Sequence, residues 1–291
     1  MNHLTRITSG ILIGAGWAVA MWLHAEFVMA AAFFACALVC QWEFHRLAAR
    51  GGYATCLPLG LALGMVWLCA LLANPPGVAG GERVEAMLLT SGGALLLARL
   101  LFDPAVERPF ESAAVTLLGL FYVPFMLSYY IRLTQWDASG PWTLGRGGVF
   151  LAFYVSLVVK LSDVGAYTAG RLWGRHRLFP RISPGKSWEG LAGGLLVAMA
   201  TSVAVVAVAR SCAGVPVTPL GRLGWGAAVL LGLLFGLLGV FGDLVESMFK
   251  RAAKAKDSSG IVPGMGGLLD VFDSLIFAPA VLYFLLPWLP A

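Results

Sequence analysis

Residues 191–209 read LAGGLLVAMATSVAVVAVA, nineteen consecutive positions without a charged side chain. About 20 such residues in a helix cross the roughly 30 Å of hydrocarbon in a bilayer, whereas a barrel strand needs only about 10. Working outward, comparable apolar runs occur at 7–23, 27–42, within 52–81, and at 86–102, 112–131, 147–159, 225–241 and 274–289. The pattern predicts an all-α polytopic integral membrane protein of about nine transmembrane helices. The run 147–159 is short, so it must either continue through Lys160 or break there.

Composition agrees. The chain has 291 residues, 59% hydrophobic and only 12% charged, against about a quarter charged in soluble domains. Mean hydropathy is +0.83. A disordered chain, a collagen-like fibre and a small disulfide-stapled domain are excluded. Five cysteines, an odd count with no CxxC pair, argue against a disulfide framework or a zinc site. The net charge of +5 is read as the basic excess of cytoplasmic loops, not as a nucleic-acid footprint. With nine spans, fourteen basic residues fall on one side, among them Arg6, Arg171 and Lys250, and five on the other, Arg83, Arg132, Arg146, Arg210 and Arg222. The positive-inside rule then places the amino terminus in the cytoplasm. The run 7–23, with Arg6 before it, looks like a signal peptide but is read as a retained helix, because a second apolar run follows at once.

Polar residues concentrate in the second half, which divides the chain into scaffold helices (1–159) and a catalytic membrane region (160–291) with two cytoplasm-facing polar motifs. The first motif holds Lys160, Asp163 and then five basic residues from Arg171 to Lys186 with no acid between them. A carboxylate at membrane depth is costly and calls for a partner or a wet cavity. Asp163 either pairs with Lys160, three residues away, or serves a metal or substrate. The Ser183-Pro184-Gly185-Lys186-Ser187 segment offers backbone N–H groups, a lysine and hydroxyls to a phosphate, without being a Walker A loop. His176, between two arginines, is read as a surface residue.

The second motif contains Asp243, Glu246, Lys250, Lys254 and Asp257, which share one stripe if the preceding helix continues. Pro263-Gly264-Met265-Gly266-Gly267 follows as a tight turn, then Asp270 and Asp273. Those two carboxylates, i and i+3, are expected to face one way and to hold a cation. Mg²⁺ takes one or two carboxylates together with substrate phosphate oxygens. Asp163, Asp243, Asp270 and Asp273 are the candidate metal ligands and catalytic acids. Lys186, Lys250 and Arg251 are the candidate phosphate contacts. No activated Ser-His pair is visible, so phosphate-to-phosphate transfer by positioning and electrostatics is the expected chemistry.

The succession Ser247, Lys250-Arg251, Lys256-Asp257, Pro263-Gly264-Met265-Gly266-Gly267, Asp270 and Asp273 resembles the signature of the phosphatidate cytidylyltransferases, or CDP-diacylglycerol synthases. Asp163 to Tyr167 and the Ser183 to Gly190 segment are similar to that family's other familiar stretch. The resemblance covers about residues 160–274. It implies transfer of the cytidylyl group from CTP to phosphatidate at the inner membrane, giving CDP-diacylglycerol and pyrophosphate. It also implies Mg²⁺, with a second divalent or a monovalent cation left open, phosphate contacts from Lys186, Ser183, Ser187, Lys250, Arg251 and Lys256, and a homodimer. A CTP-dependent lipid kinase resembling dolichol kinase, or an inactive or transport-type relative, are the alternatives. Two positions depart from the family pattern. Met265 stands where the family has His, and Val271 where it has Arg; neither can donate a hydrogen bond from its side chain.

Overall fold

The computed structural model describes residues 26–74, 81–104, 106–136, 146–211 and 219–289. The expected span at 7–23 lies outside them. The chain forms two compact units. One comprises residues 1–144 with 249–272, the other 145–248 with 273–291.

In the first unit, α1 (Glu26–Arg50), α2 (Leu57–Ala73) and α3 (Gly81–Phe102) are followed by α4 (Pro109–Leu120) and α5 (Met126–Thr134). The last two are one continuous helix interrupted by a π-helical turn, Phe121–Phe125, that contains Pro124. Proline has no N–H to give to the preceding turn, and here the helix widens into a single π turn around it. Aromatic rings fill the interior. Phe33 stacks on Tyr130 at 5.0 Å, and Phe44, Tyr122 and Phe249 meet one another at 5.2 to 5.8 Å.

The second unit contains α6 (Arg146–Trp173), a two-stranded antiparallel hairpin of β1 (Arg177–Phe179) and β2 (Ser183–Ser187), and α7 (Trp188–Ser211). Then come a 3₁₀ turn (Pro219–Arg222), most of α8 (Trp225–Ala252), a 3₁₀ turn (Asp273–Leu275) and α10 (Ala278–Leu285). The four-residue α9 (Leu269–Phe272) ends the first unit. Helix α6 runs on through Lys160 without a break, as does α8 through Asp243.

The fold is mostly helical, and the basic segment after α6 adds the short hairpin. Among the described residues six helices are long and apolar enough to cross a membrane. They are Arg83–Phe102, Pro109–Thr134, Gly147–Trp173, Trp188–Ser211, Trp225–Ala252 and Leu269–Trp288. The expected 27–42 run forms part of α1, which also carries Glu43, His45, Arg46 and Arg50, and α2 has only 17 residues.

Small residues set the packing of the second unit. A Cβ placed on Gly193 would sit 2.2 Å from the Ala169 Cβ, and one on Gly194 would sit 2.9 Å from the Ala166 Cβ. In a bilayer, helices gain little from hydrophobic association, and such close contact supplies the dispersion energy instead. A buried hydroxyl chain adds to it. Tyr154 OH lies 2.6 Å from Ser202 Oγ, which donates to the Ala228 carbonyl at 2.6 Å. This ties α6, α7 and α8 together. Overpacking a close contact costs roughly 1–3 kcal/mol. Gly193→Leu is therefore expected to lower the melting temperature of the detergent-solubilised protein by several degrees. An unchanged melting curve would show that α6 and α7 are not pressed together.

Candidate active site

In the second unit, α8 carries Asp243 and Glu246 one turn apart, and the chain brings Asp273 against them. The approach depends on Gly242, where a Cβ would stand 2.2 Å from the Asp273 carbonyl oxygen. One carboxylate oxygen from each of Asp243, Glu246 and Asp273 lies within 4.8 Å of the others. Glu246 is fully buried and Asp273 nearly so. At that separation two unit charges repel by on the order of 3 kcal/mol, taking an effective dielectric of about 20. Three hard oxygen donors at this spacing fit a divalent cation such as Mg²⁺, which also favours carboxylate oxygens.

Two lysines border the cluster. Lys186, from β2, reaches Asp243 Oδ2 at 2.8 Å and donates to the Val240 carbonyl at 3.3 Å. Ser247 Oγ donates to the other Asp243 oxygen at 3.2 Å. On the other flank, Lys160 Nζ donates to Ser274 Oγ at 2.9 Å, and Ser274 Oγ donates to Asp163 Oδ2 at 2.8 Å. Lys160 and Asp163 also form the expected i, i+3 pair, at 3.5 Å. Ser274 N–H donates to Asp273 Oδ1 at 2.5 Å. Asp163 thus connects to the cluster through Ser274, the residue next to Asp273.

The hairpin has its own fastening. Ser187 Oγ accepts the Gly190 N–H at 3.1 Å, the geometry of a helix N-cap for α7. Glu189 accepts the backbone N–H groups of Arg175 and His176 and lies 2.6 Å from His176 Nδ1. His176 is otherwise exposed. Ser183 starts β2 and is half-buried.

The remaining candidates belong to the first unit. Lys250 pairs with Asp270 Oδ1 at 2.7 Å, both side chains largely buried. Asp270 Oδ2 accepts from Ser258 N–H at 2.9 Å, Ser258 Oγ at 2.8 Å and Gly267 N–H at 2.6 Å. Asp270 and Asp273, expected to face one way, are therefore engaged by different partners, since α9 ends after four residues and Asp273 begins a 3₁₀ turn. Arg251 and Lys256 are exposed. The tight turn expected before Asp270 and Asp273 is present. Met265 N–H donates to the Val262 carbonyl at 3.1 Å, with Pro263 and Gly264 between them. Gly264 has φ of 80°, which a side chain tolerates poorly.

Three residues outside the expected set join these contacts: Glu246, Ser274 and Glu189. Glu246 lies on the predicted stripe, one turn from Asp243. Ser274 and Glu189 gave no spacing signal.

These features define a class: a multi-pass helical membrane protein with a buried carboxylate cluster and flanking lysines, suited to a cation and a phosphate ligand. The chain belongs to the cytidylyltransferase family, whose sequence profile matches residues 4–289. The phosphatidate cytidylyltransferase of Haemophilus influenzae is 29% identical over 289 residues, 96% of this chain and 97% of that protein. The phosphatidate cytidylyltransferase of Bacillus subtilis is 35% identical over 232 residues, 79% of this chain and 78% of that protein. The one from Staphylococcus aureus is 38% identical over 181 residues, 61% of this chain and 60% of that protein.

If Lys186 and Asp243 are energetically linked, a double-mutant cycle with Lys186→Met and Asp243→Asn is expected to give a coupling of about 1 kcal/mol in unfolding, within the range for contacting pairs. Additive effects would show that the contact carries no energy.

Proposed function

We propose that this protein transfers the cytidylyl group of CTP to phosphatidate, at the inner face of a bacterial cytoplasmic membrane. A phosphate oxygen of the lipid attacks the α-phosphorus of CTP. The bond from that phosphorus to the bridging oxygen breaks, and CDP-diacylglycerol and pyrophosphate are the products. The observation that carries this reading is the match to phosphatidate cytidylyltransferase along almost the whole chain. The carboxylate cluster with Lys186 beside it supports it.

Asp243, Glu246 and Asp273 are the proposed holders of Mg²⁺, which when bound supplies positive charge to draw the phosphate oxygens together and to stabilise the leaving pyrophosphate. Asp163 supports the cluster through Ser274. Lys186 is the proposed phosphate contact next to the acids, and its ammonium offers three donors. Arg251 and Lys256, both exposed, are further proposed phosphate contacts. Asp270 is assigned with Lys250 to holding the segment that leads into α9. The basic residues of the hairpin support the proposed cytoplasmic orientation.

The test is incorporation of labelled CTP into phosphatidate by purified protein with Mg²⁺. Wild type is expected to form a lipid product and release pyrophosphate. Asp273→Asn and Glu246→Gln are expected to lower kcat at least about 100-fold, the scale for losing a transition-state charge contact. Release of CDP with a phosphorylated lipid would identify a kinase instead, and the absence of any magnesium-dependent product would refute the reading. Lys186→Ala is expected to raise the KM for CTP about tenfold while the protein remains inserted. Unchanged CTP kinetics would remove Lys186 from the phosphate contacts.

A further inference from the structure

The Glu43 side chain is fully buried in the first unit, and nothing in the proposed chemistry uses it. Its two oxygens nevertheless collect four donors from a segment more than 200 residues further along the chain. Oε1 accepts from Leu268 N–H at 3.0 Å and from the Ser259 hydroxyl. Oε2 accepts from Leu269 N–H at 2.6 Å and from Ser258 Oγ at 3.3 Å. Arg50, two turns along α1, donates to the Ser258 carbonyl at 3.1 Å. A carboxylate taken out of water keeps a tolerable energy only when its lone pairs are filled, and here the filling comes entirely from one loop.

The loop is shaped around that carboxylate. A Cβ on Gly267 would stand 2.7 and 2.8 Å from the two Glu43 oxygens and 1.9 Å from Ser258 Oγ. The second glycine of the Gly266-Gly267 pair is therefore required by the close approach of Ser258 and Glu43. Asp270 grips the same two ends of the loop, through Ser258 and Gly267, and is itself held by Lys250. Asp273 is the first residue beyond α9, one turn from the N–H groups that Glu43 accepts.

We propose that Glu43 is a positioning residue for cytidylyl transfer: by accepting the Leu268 and Leu269 N–H groups together with the Ser258 and Ser259 hydroxyls, it fixes the path of the signature loop into α9. This rests on the cytidylyltransferase reading. Glu43 is not among the proposed holders of Mg²⁺. It acts through the loop.

The experiment compares wild type, Glu43→Gln and Glu43→Asp in detergent with CTP, phosphatidate and Mg²⁺, alongside hydrogen exchange of residues 258–272 and trypsin cleavage at Lys254 and Lys256. Gln keeps the volume of the side chain but turns an N–H₂ toward donors. It is expected to lower kcat at least 50-fold with less than a threefold change in the KM for CTP, and to speed exchange and cleavage of the loop about tenfold, with the melting temperature nearly unchanged. Asp, which keeps both oxygens, is expected to recover at least a fifth of wild-type kcat. Glu43→Gln protein that melts earlier but turns over normally while folded, or that keeps the loop protected, would overturn the inference and leave the cytidylyltransferase reading intact. Wild type inert toward CTP and phosphatidate would overturn that reading and the positioning role with it.

Discussion

The polar contacts of the described residues turn on the cost of a carboxylate that has left water. Moving such a group into a low-dielectric interior costs several kcal/mol even after relaxation, and it is tolerated only with counter-charge or hydrogen-bond donors around it. The protein meets that requirement in two ways. Asp270 and Glu43 are satisfied by neutral donors and one lysine, so their surroundings are complete. Asp243, Glu246 and Asp273 are gathered instead against one another, with Lys186 at the edge. The first arrangement suits a fixed joint. The second leaves mutual repulsion that a cation would relieve, which is what a phosphate-transfer centre requires.

Glycine makes both arrangements reachable. Gly242 lets the backbone at Asp273 lie against α8, and Gly267 leaves room for the Glu43 carboxylate. Elsewhere Gly193, Gly194, Gly232 and Gly236 serve only close helix packing, with a neighbouring backbone or side-chain atom within 3 Å of each missing Cβ. One residue type thus does two jobs, and the difference lies in what occupies the space.

Hydropathy made the long spans legible, because an uninterrupted apolar run such as 191–209 has no other stable home. It also left α6 undecided at Lys160. The structure resolves this through Ser274 and Asp163, which take up the ammonium and let the helix continue. The hairpin was illegible for a different reason. Arg177–Phe179 has three residues, too few to show strand alternation, and Ser183–Ser187 contains Pro and Gly. Of the cluster, Asp243 and Asp273 could be named from sequence because acids at membrane depth are rare. Glu246 lies on the same stripe, but an acid four residues before Lys250 equally suits a surface ion pair. Glu43 could not be found at all, since every partner it has lies far away in the chain and a lone acid near the end of an apolar run looks like an interfacial residue.

The outer surface carries a consequence of its own. Leu101, Phe102, Phe110 and Trp288 are each more than three-quarters exposed, an arrangement that water would punish with aggregation and that acyl chains accept without penalty. The folded molecule is therefore complete only with its collar of amphiphile. Any stability measured for it is a joint property of protein and solubilising agent, and a change of detergent is, in thermodynamic terms, a change of solvent.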